Sequence, residues 1–111
     1  MKIHLIRHSA NQEQINEMLE EHVSYIKVAV DVRHGILAGG GEFHADCESA
    51  LLENGSLRED VWGADWIPAE QVVRCSALIN IRSRVNPSME IHDLTVRGHI
   101  EAITRRLLGR A

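Results

Sequence analysis

The sequence has few of the residues that define specialised protein classes. It contains two cysteines and two prolines among 111 residues, and aromatic residues make up only 4%. Cys47 and Cys75 are far apart, form no CxxC pair and lie among apolar residues, so we expect buried thiols rather than a disulfide. No apolar run approaches the ~20 residues that cross a bilayer, and the run at the start is too short for a signal peptide. We therefore expect a soluble cytoplasmic protein.

An excess of positive charge is also missing. The formal net charge is -4, which argues against a broad basic face that binds nucleic acid. Arg105, Arg106 and Arg110 cluster near the end of the chain, but cations there complement the dipole of a predicted helix. We therefore expect no nucleic-acid partner. A regulatory protein that acts through protein or nucleic-acid contacts stays an alternative that would depend on these arginines.

The length of the chain and the absence of any shift in composition along it predict a single domain over residues 1–111. A chain of this size buries enough surface for one core without disulfides. No repeat, low-complexity run or linker divides it.

The first third of the sequence predicts two strands, a helix and a hairpin. Residues 2–7 have the pattern of a short strand, and Ser9 with Gln12 has the form of a capping box that begins a helix. Alternating apolar residues over 26–32 predict a half-buried strand. Gly35 then supplies a turn before the next apolar residues, 36–38, so we predict a hairpin.

Residues 42–53 fit either a helix or a strand. Phe43, Cys47 and Leu51 have helical spacing, whereas alternate residues from Ala45 to Leu51 fit a strand. The pair Asn54-Gly55 is a strong hairpin signal, which favours a strand from Ala50 onward.

The remaining residues complete an α+β fold. Trp62, Ala64 and Trp66 share one face of a predicted strand, and alternation over residues 72–82 predicts another. Asp93 can cap a terminal helix that Gly109 ends. We predict an antiparallel β-meander flanked by an N-terminal and a C-terminal helix. Such a sheet often leaves one face for a second copy, so we also predict a homodimer, with the tryptophans in the core or at the dimer face.

The segment LIRHSA, residues 5–10, resembles the start of the histidine phosphatases. In that family the histidine attacks phosphorus and the adjacent arginine binds the phosphoryl oxygens, roles that would fall to His8 and Arg7. Ser9 stands where the family has glycine, and the resemblance covers only about the first 12 residues. The hairpins also differ from the family's parallel sheet. A strand end followed by a helix cap explains the segment without chemistry, and a phosphate-ester hydrolase stays an alternative function.

The glycine run and the residues after it form a second candidate site. Gly39, Gly40 and Gly41 allow close approach to the backbone, and His44 and Asp46 would project to one side of an extended chain. Such a pair suits a metal, which makes a metal-dependent hydrolase a further alternative, although a metal site needs about three or four ligands. The competing interpretation is a kinked strand with a hydrogen-bonded histidine and aspartate. A thiol nucleophile beside these residues, at position 47, is less consistent with its apolar register.

A polar face on the predicted strand 72–82 is the third candidate. Alternation places Arg74, Asn80 and Arg82 together, and Arg84 follows in the loop. Guanidinium and amide groups of this kind bind anions. With the glycine run, they predict a small cytoplasmic binding module for a small anionic ligand that requires no cofactor. A solvated sheet edge is the alternative interpretation, and catalytic residues are not assigned.

A longer resemblance rests on several segments in a fixed order. They are VDV (30–32), ILAGGG (36–41), HADCE (44–48), NGS (54–56), DVWGADW (60–66) and LINIR (78–82). Together they are similar to a family of short bacterial proteins of unknown function, over residues 26–108. This resemblance implies no activity, cofactor or catalytic residue.

Overall fold

The computed structural model describes residues 1–110 and has an α+β fold, as predicted. Its strands are β1 (His4–Ile6), β2 (Ile26–Asp31), β3 (Ile36–Gly39), β4 (Val61–Ile67) and β5 (Val72–Arg74). Its helices are α1 (Gln12–Met18), α2 (His44–Glu53) and α3 (Leu94–Leu108), with 3-10 turns at Arg58–Asp60 and Leu78–Asn80. Within the described range, no helix combines the length and apolar character needed to cross a membrane.

The strands form one sheet in the order β1-β3-β2-β4-β5, and every neighbouring pair is antiparallel. The predicted hairpin is confirmed: β2 and β3 pair from Asp31 opposite Ile36, and Gly35 adopts a φ of 66° in the turn. The long strands β2 and β4 lie side by side, with Lys27 opposite Asp65 and Ala29 opposite Gly63. This register determines which polar residues share a face.

Both faces of the sheet carry helices. On one face, Val28, Trp62 and Trp66 pack with residues of α1 and α3, including Met18 and Ile100. On the other face, Ala29, Ala38 and Val61 pack against Cys47 and Leu51 of α2. The tryptophans are core residues, 6% and 1% exposed. The homodimer predicted from an uncovered face stays a prediction, and it no longer has that support.

The predicted start of the first helix was wrong by two residues. Asn11, not Ser9, is the N-cap: its side chain accepts the backbone N–H of Gln14, and the Gln14 side chain accepts the backbone N–H of Asn11. The amide pair forms the same reciprocal capping box that serine and glutamine would form. Ser9 therefore lies before the helix.

The strand predicted from residue 50 was wrong, because this segment belongs to helix α2. Asn54 ends the helix, and Gly55 follows with a φ of 100° while its N–H donates to Leu52 O. A glycine with positive φ is typical of a helix C-terminus as well as of a hairpin. The burial of Cys47 and Leu51, four residues apart, favours the helix.

The strand predicted over residues 72–82 was also wrong beyond Arg74. The chain leaves the sheet after β5 and turns at Leu78–Asn80. The C-terminal helix is confirmed, because Asp93 accepts the backbone N–H groups of Thr95 and Val96, and Gly109 is the C-cap.

Candidate functional site

A cavity of about 720 Å³ opens beside the start of α2, on the sheet face that α2 covers. Its apolar wall includes Phe43, Leu78, Ile79 and Met89. Its polar lining residues are Tyr25, Lys27, His44, Asp65, Arg74, Ser76 and Glu90. Apolar cavities of about 300–1,000 Å³ with a few convergent polar groups are the usual form of small-molecule sites.

Three of the polar residues form a hydrogen-bonded network. Nε2 of His44 lies 2.8 Å from Asp65 Oδ1 and 3.0 Å from Ala64 O, and both are acceptors, so Nε2 carries the hydrogen. Arg74 donates to the other carboxylate oxygen through Nε and Nη2, at 3.1 and 3.0 Å. The side chains of His44 and Asp65 are only 12% and 9% exposed. The buried carboxylate thus fixes the imidazole ring.

The environment of Asp65 keeps it ionised. Burial alone would raise the pKa of this carboxyl, but the hydrogen bonds from His44 and Arg74 and the positive charge of Arg74 outweigh burial and lower the pKa below its usual value. The network therefore holds a negative charge against the imidazole at neutral pH.

Lys27 also lines the cavity, but it is not part of this hydrogen-bonded network. It lies opposite Asp65 in the β2–β4 register and is half-buried, with Nζ 5.6 Å from the centroid of the Phe43 ring. Among residues 1–110, no carboxylate forms an ion pair with it. An unpaired ammonium group beside an apolar wall attracts an anion.

The structure places the predicted glycine site in the protein interior. Gly39, Gly40 and Gly41 are all buried. A Cβ atom at Gly39 would lie 3.1 Å from Val28 Cγ1, and one at Gly40 would overlap Lys2 O. Gly40 also has a φ of 102° and donates its N–H to Lys27 O. Gly39 and Gly40 allow close packing against Met18 of α1, and Gly41 lies against Cys47 and Asp46 of α2, so the run packs in the interior rather than exposing amides to a ligand.

His44 and Asp46 do not point to one side, because the segment is helical and not extended. His44 bonds Asp65, while the Asp46 carboxylate accepts the backbone N–H of Phe43 at the start of α2. The part of the chain that the structure describes contains no group of three His, Cys, Asp or Glu side chains that could hold a metal. The pair lacks the further ligands that the metal prediction requires.

The residues of the predicted polar face lie in separate places, because the strand on which that face depended ends at Arg74. Only Arg74 lines the cavity. Asn80 is fully buried, and its side chain accepts Gly63 N–H at 2.7 Å and donates to Gly63 O at 2.9 Å. Arg82 stacks 3.8 Å over the Trp62 ring and donates to the carbonyls of Val61 and Glu59. The exposed Arg84 has a φ of 67° in a turn.

The two residues of the phosphatase-like segment lie outside the cavity beside α2. Arg7 and His8 are exposed, and Arg7 lines a separate hollow of about 200 Å³ with His34 and Ser56. Neither residue contributes to the cavity beside α2. Phosphate chemistry of the kind used by the histidine phosphatases would therefore have to take place outside the cavity beside α2.

Cys47 has the properties of a structural thiol. It is fully buried, its Sγ donates to Lys27 O at 3.4 Å, and burial raises its pKa to about 11. A thiol with so high a pKa is a poor nucleophile at neutral pH.

Sequence reasoning found His44 and Arg74 but missed Lys27, Asp65 and Tyr25. Asp65 lies between Ala64 and Trp66, and their burial on one face indicates that Asp65 points to the other. A carboxylate within a buried strand was the available signal. Its pairing with His44, 21 residues away, depends on tertiary structure alone.

The fold and the cavity define a small α+β protein with helices on both faces of an antiparallel five-stranded sheet. The chain belongs to a family described as protein of unknown function (DUF5674), whose pattern matches residues 4–107. The resemblance to a family of unknown function is thereby confirmed, and it extends into β1. No curated protein and no solved structure matches the chain significantly.

Proposed function

We propose that this protein is a cytoplasmic binding module that takes a small organic anion with an apolar body into the cavity beside α2. The observation that carries the proposal is the half-buried Lys27, which has no carboxylate partner among residues 1–110 and borders an apolar wall. The cavity volume of about 720 Å³ suits a ligand of this kind.

The charges around the cavity favour a monocarboxylate over a phosphate ester. Arg74 is already bound to Asp65, so Lys27 is the cation available for a ligand. The charge of Asp65 is balanced by Arg74, and Glu90 Oε2 lies 3.5 Å from Arg97 Nη2, so Lys27 supplies one positive charge that no carboxylate in residues 1–110 pairs with. One ammonium group balances the single charge of a carboxylate whose apolar body contacts Phe43, whereas a dianionic phosphate would leave a second negative charge unpaired in the cavity.

Thermal unfolding in the presence of aromatic and branched monocarboxylates, each compared with its neutral amide, tests the proposal. A ligand at about 100 times its Kd stabilises the folded state by about 2.7 kcal/mol, which raises the Tm by about 10 °C. We expect such a shift with an acid and not with its amide. Calorimetric titration then gives the Kd.

The only other lysine provides a matched control. Lys2 pairs with Glu17 at 2.9 Å, outside the cavity. Replacing Lys27 by Met removes a charge-assisted contact of about 1.5–3 kcal/mol, so we expect the Kd to rise about 10-fold to 150-fold, with no change in K2M. An unchanged Kd in K27M, or no shift with any carboxylate, would contradict the proposal.

A further inference from the structure

His44 lines the cavity and has one ring nitrogen that no other group in residues 1–110 binds. Nε2 donates its hydrogen to Asp65 and Ala64 O, while Nδ1 has no hydrogen-bond partner in the described residues. The described residues leave two side-chain polar atoms buried without a partner, Asp60 Oδ2 and Trp66 Nε1, so Nδ1 of His44 is reached by solvent. With the hydrogen on Nε2, Nδ1 carries the lone pair and can accept a proton.

The hydrogen bonds that hold the His44 ring resemble those that orient catalytic histidines, in which a buried carboxylate binds one ring nitrogen. Asp65 fixes the orientation and the tautomer of His44, and Arg74 fixes Asp65 through two hydrogen bonds. A buried carboxylate behind an imidazole also stabilises the imidazolium that forms when the base takes up a proton.

We propose that His44 is a general base and that the protein hydrolyses a carboxylic ester whose acid product is the monocarboxylate bound beside Lys27. This inference rests on the proposed function, because the ester must occupy the same cavity. The cavity holds the two groups that the reaction needs, a base and a cation that stabilises the developing oxyanion. Asp65 acts as a positioning residue.

The reaction uses water as the nucleophile. His44 Nδ1 takes a proton from water while the water oxygen bonds to the acyl carbon. The bond between the acyl carbon and the alcohol oxygen then breaks, and the imidazolium returns the proton to the leaving alkoxide. The products are the carboxylic acid, which ionises beside Lys27, and the alcohol. Cys47 takes no part, since its thiol is buried and protonated.

A second Asp-His pair in the same chain provides the control. His34 Nδ1 lies 2.8 Å from Asp31 Oδ2, but the His34 side chain is 54% exposed and lies outside the cavity. Exposed imidazoles hydrolyse activated esters slowly, and the difference in rate between wild type and H34Q measures how much one exposed imidazole contributes.

The experiment measures kcat/KM for p-nitrophenyl acetate and p-nitrophenyl phenylacetate from pH 5 to 9. General-base catalysis contributes about 10²–10⁴-fold, so we expect H44Q to lose at least about 100-fold while H34Q keeps wild-type activity. D65N should lower kcat while phenylacetate binds at least as tightly as to wild type, because the substitution misorients the base but also removes a negative charge from the lining and releases Arg74. Equal rates in wild type and H44Q would overturn the proposal.

Binding and catalysis fail in distinguishable ways. Phenylacetate binding to H44Q and to wild type is measured by titration, after thermal unfolding shows that the variant folds. Binding without turnover in wild type would overturn the catalytic proposal and leave the binding function standing. Absence of both would overturn both. Loss of turnover in S76A would assign the attack to a serine hydroxyl that lines the cavity and overturn the water route.

Discussion

Asp31 Oδ2 accepts a 2.6 Å hydrogen bond from Ser56 Oγ, although the two residues are 25 positions apart. The same carboxylate accepts His34 Nδ1 at 2.8 Å and the backbone N–H groups of Arg33 and His34. Asp31 is fully buried at the end of β2. One ionised side chain therefore joins the β2–β3 turn to the segment that follows α2.

Removing the serine hydroxyl should destabilise the protein. A hydrogen bond to a charged group contributes about 1.5–3 kcal/mol, so we expect S56A to lower the free energy of unfolding by about that amount. Urea unfolding at pH 7 measures it. S49A, at an exposed position in α2, is the control and should stay within about 0.5 kcal/mol of wild type. A loss of the same size in both variants would show that the hydroxyl of Ser56 has no special role.

The Asp31 carboxylate should make the protein less stable at low pH. Burial would raise the pKa of Asp31, but hydrogen bonds from Ser56 and His34 outweigh burial and lower it below the usual value. The unfolded chain then binds the proton more readily than the folded one, so stability is full above the unfolded pKa of about 3.9 and falls as the pH falls through the lower, folded pKa. Asp65 acts in the same direction.

In S56A the pKa of Asp31 in the folded protein should rise toward its unfolded value. Unfolding free energies from pH 7 to pH 2 should then show a smaller total loss of stability than in wild type. Parallel curves would mean that this hydrogen bond does not set the pKa of Asp31.

The predictable parts of the fold are those that local sequence determines. The β2–β3 hairpin follows from alternation and from Gly35, and α3 follows from Asp93 and its apolar stripe. Helix α2 was not predictable from its end, because Asn54-Gly55 serves a helix C-terminus as well as a hairpin.

The site depends on contacts that local sequence does not determine. His44 and Asp65 meet only because α2 packs on the face of β4 that carries Asp65. Alternation predicted that Asn80 lies on the polar face of a strand, yet its side chain points inward and forms hydrogen bonds with the Gly63 backbone. In both cases a long-range pairing decides what a polar residue does.

The Asn80 side chain makes the hydrogen bonds to β4 that a neighbouring strand would otherwise make, so its removal should destabilise the protein. Its amide bonds both backbone groups of Gly63, where β5 has already ended, and also donates to Met89 O. N80A leaves the buried Gly63 groups without partners, at about 1–3 kcal/mol each, so we expect a loss of at least about 2 kcal/mol. Urea unfolding measures this loss, and hydrogen exchange should show lower protection of the Gly63 amide. N16A, at an exposed position in α1, should change neither.

Two glycines with open space around them should respond to alanine in opposite directions. A Cβ atom at Gly98 or at Gly55 would meet nothing within 4 Å. Gly98 lies inside α3, where alanine is more favourable than glycine by about 0.8–1.0 kcal/mol, so G98A should raise the Tm by about 4 °C. Gly55 has a φ of 100°, which an alanine adopts at a cost of about 1–2 kcal/mol, so G55A should lower the Tm. Because neither substitution creates a steric contact, the difference in sign measures backbone conformation alone. A change of the same sign in both variants would show that the φ of Gly55 does not control the stability of this helix end.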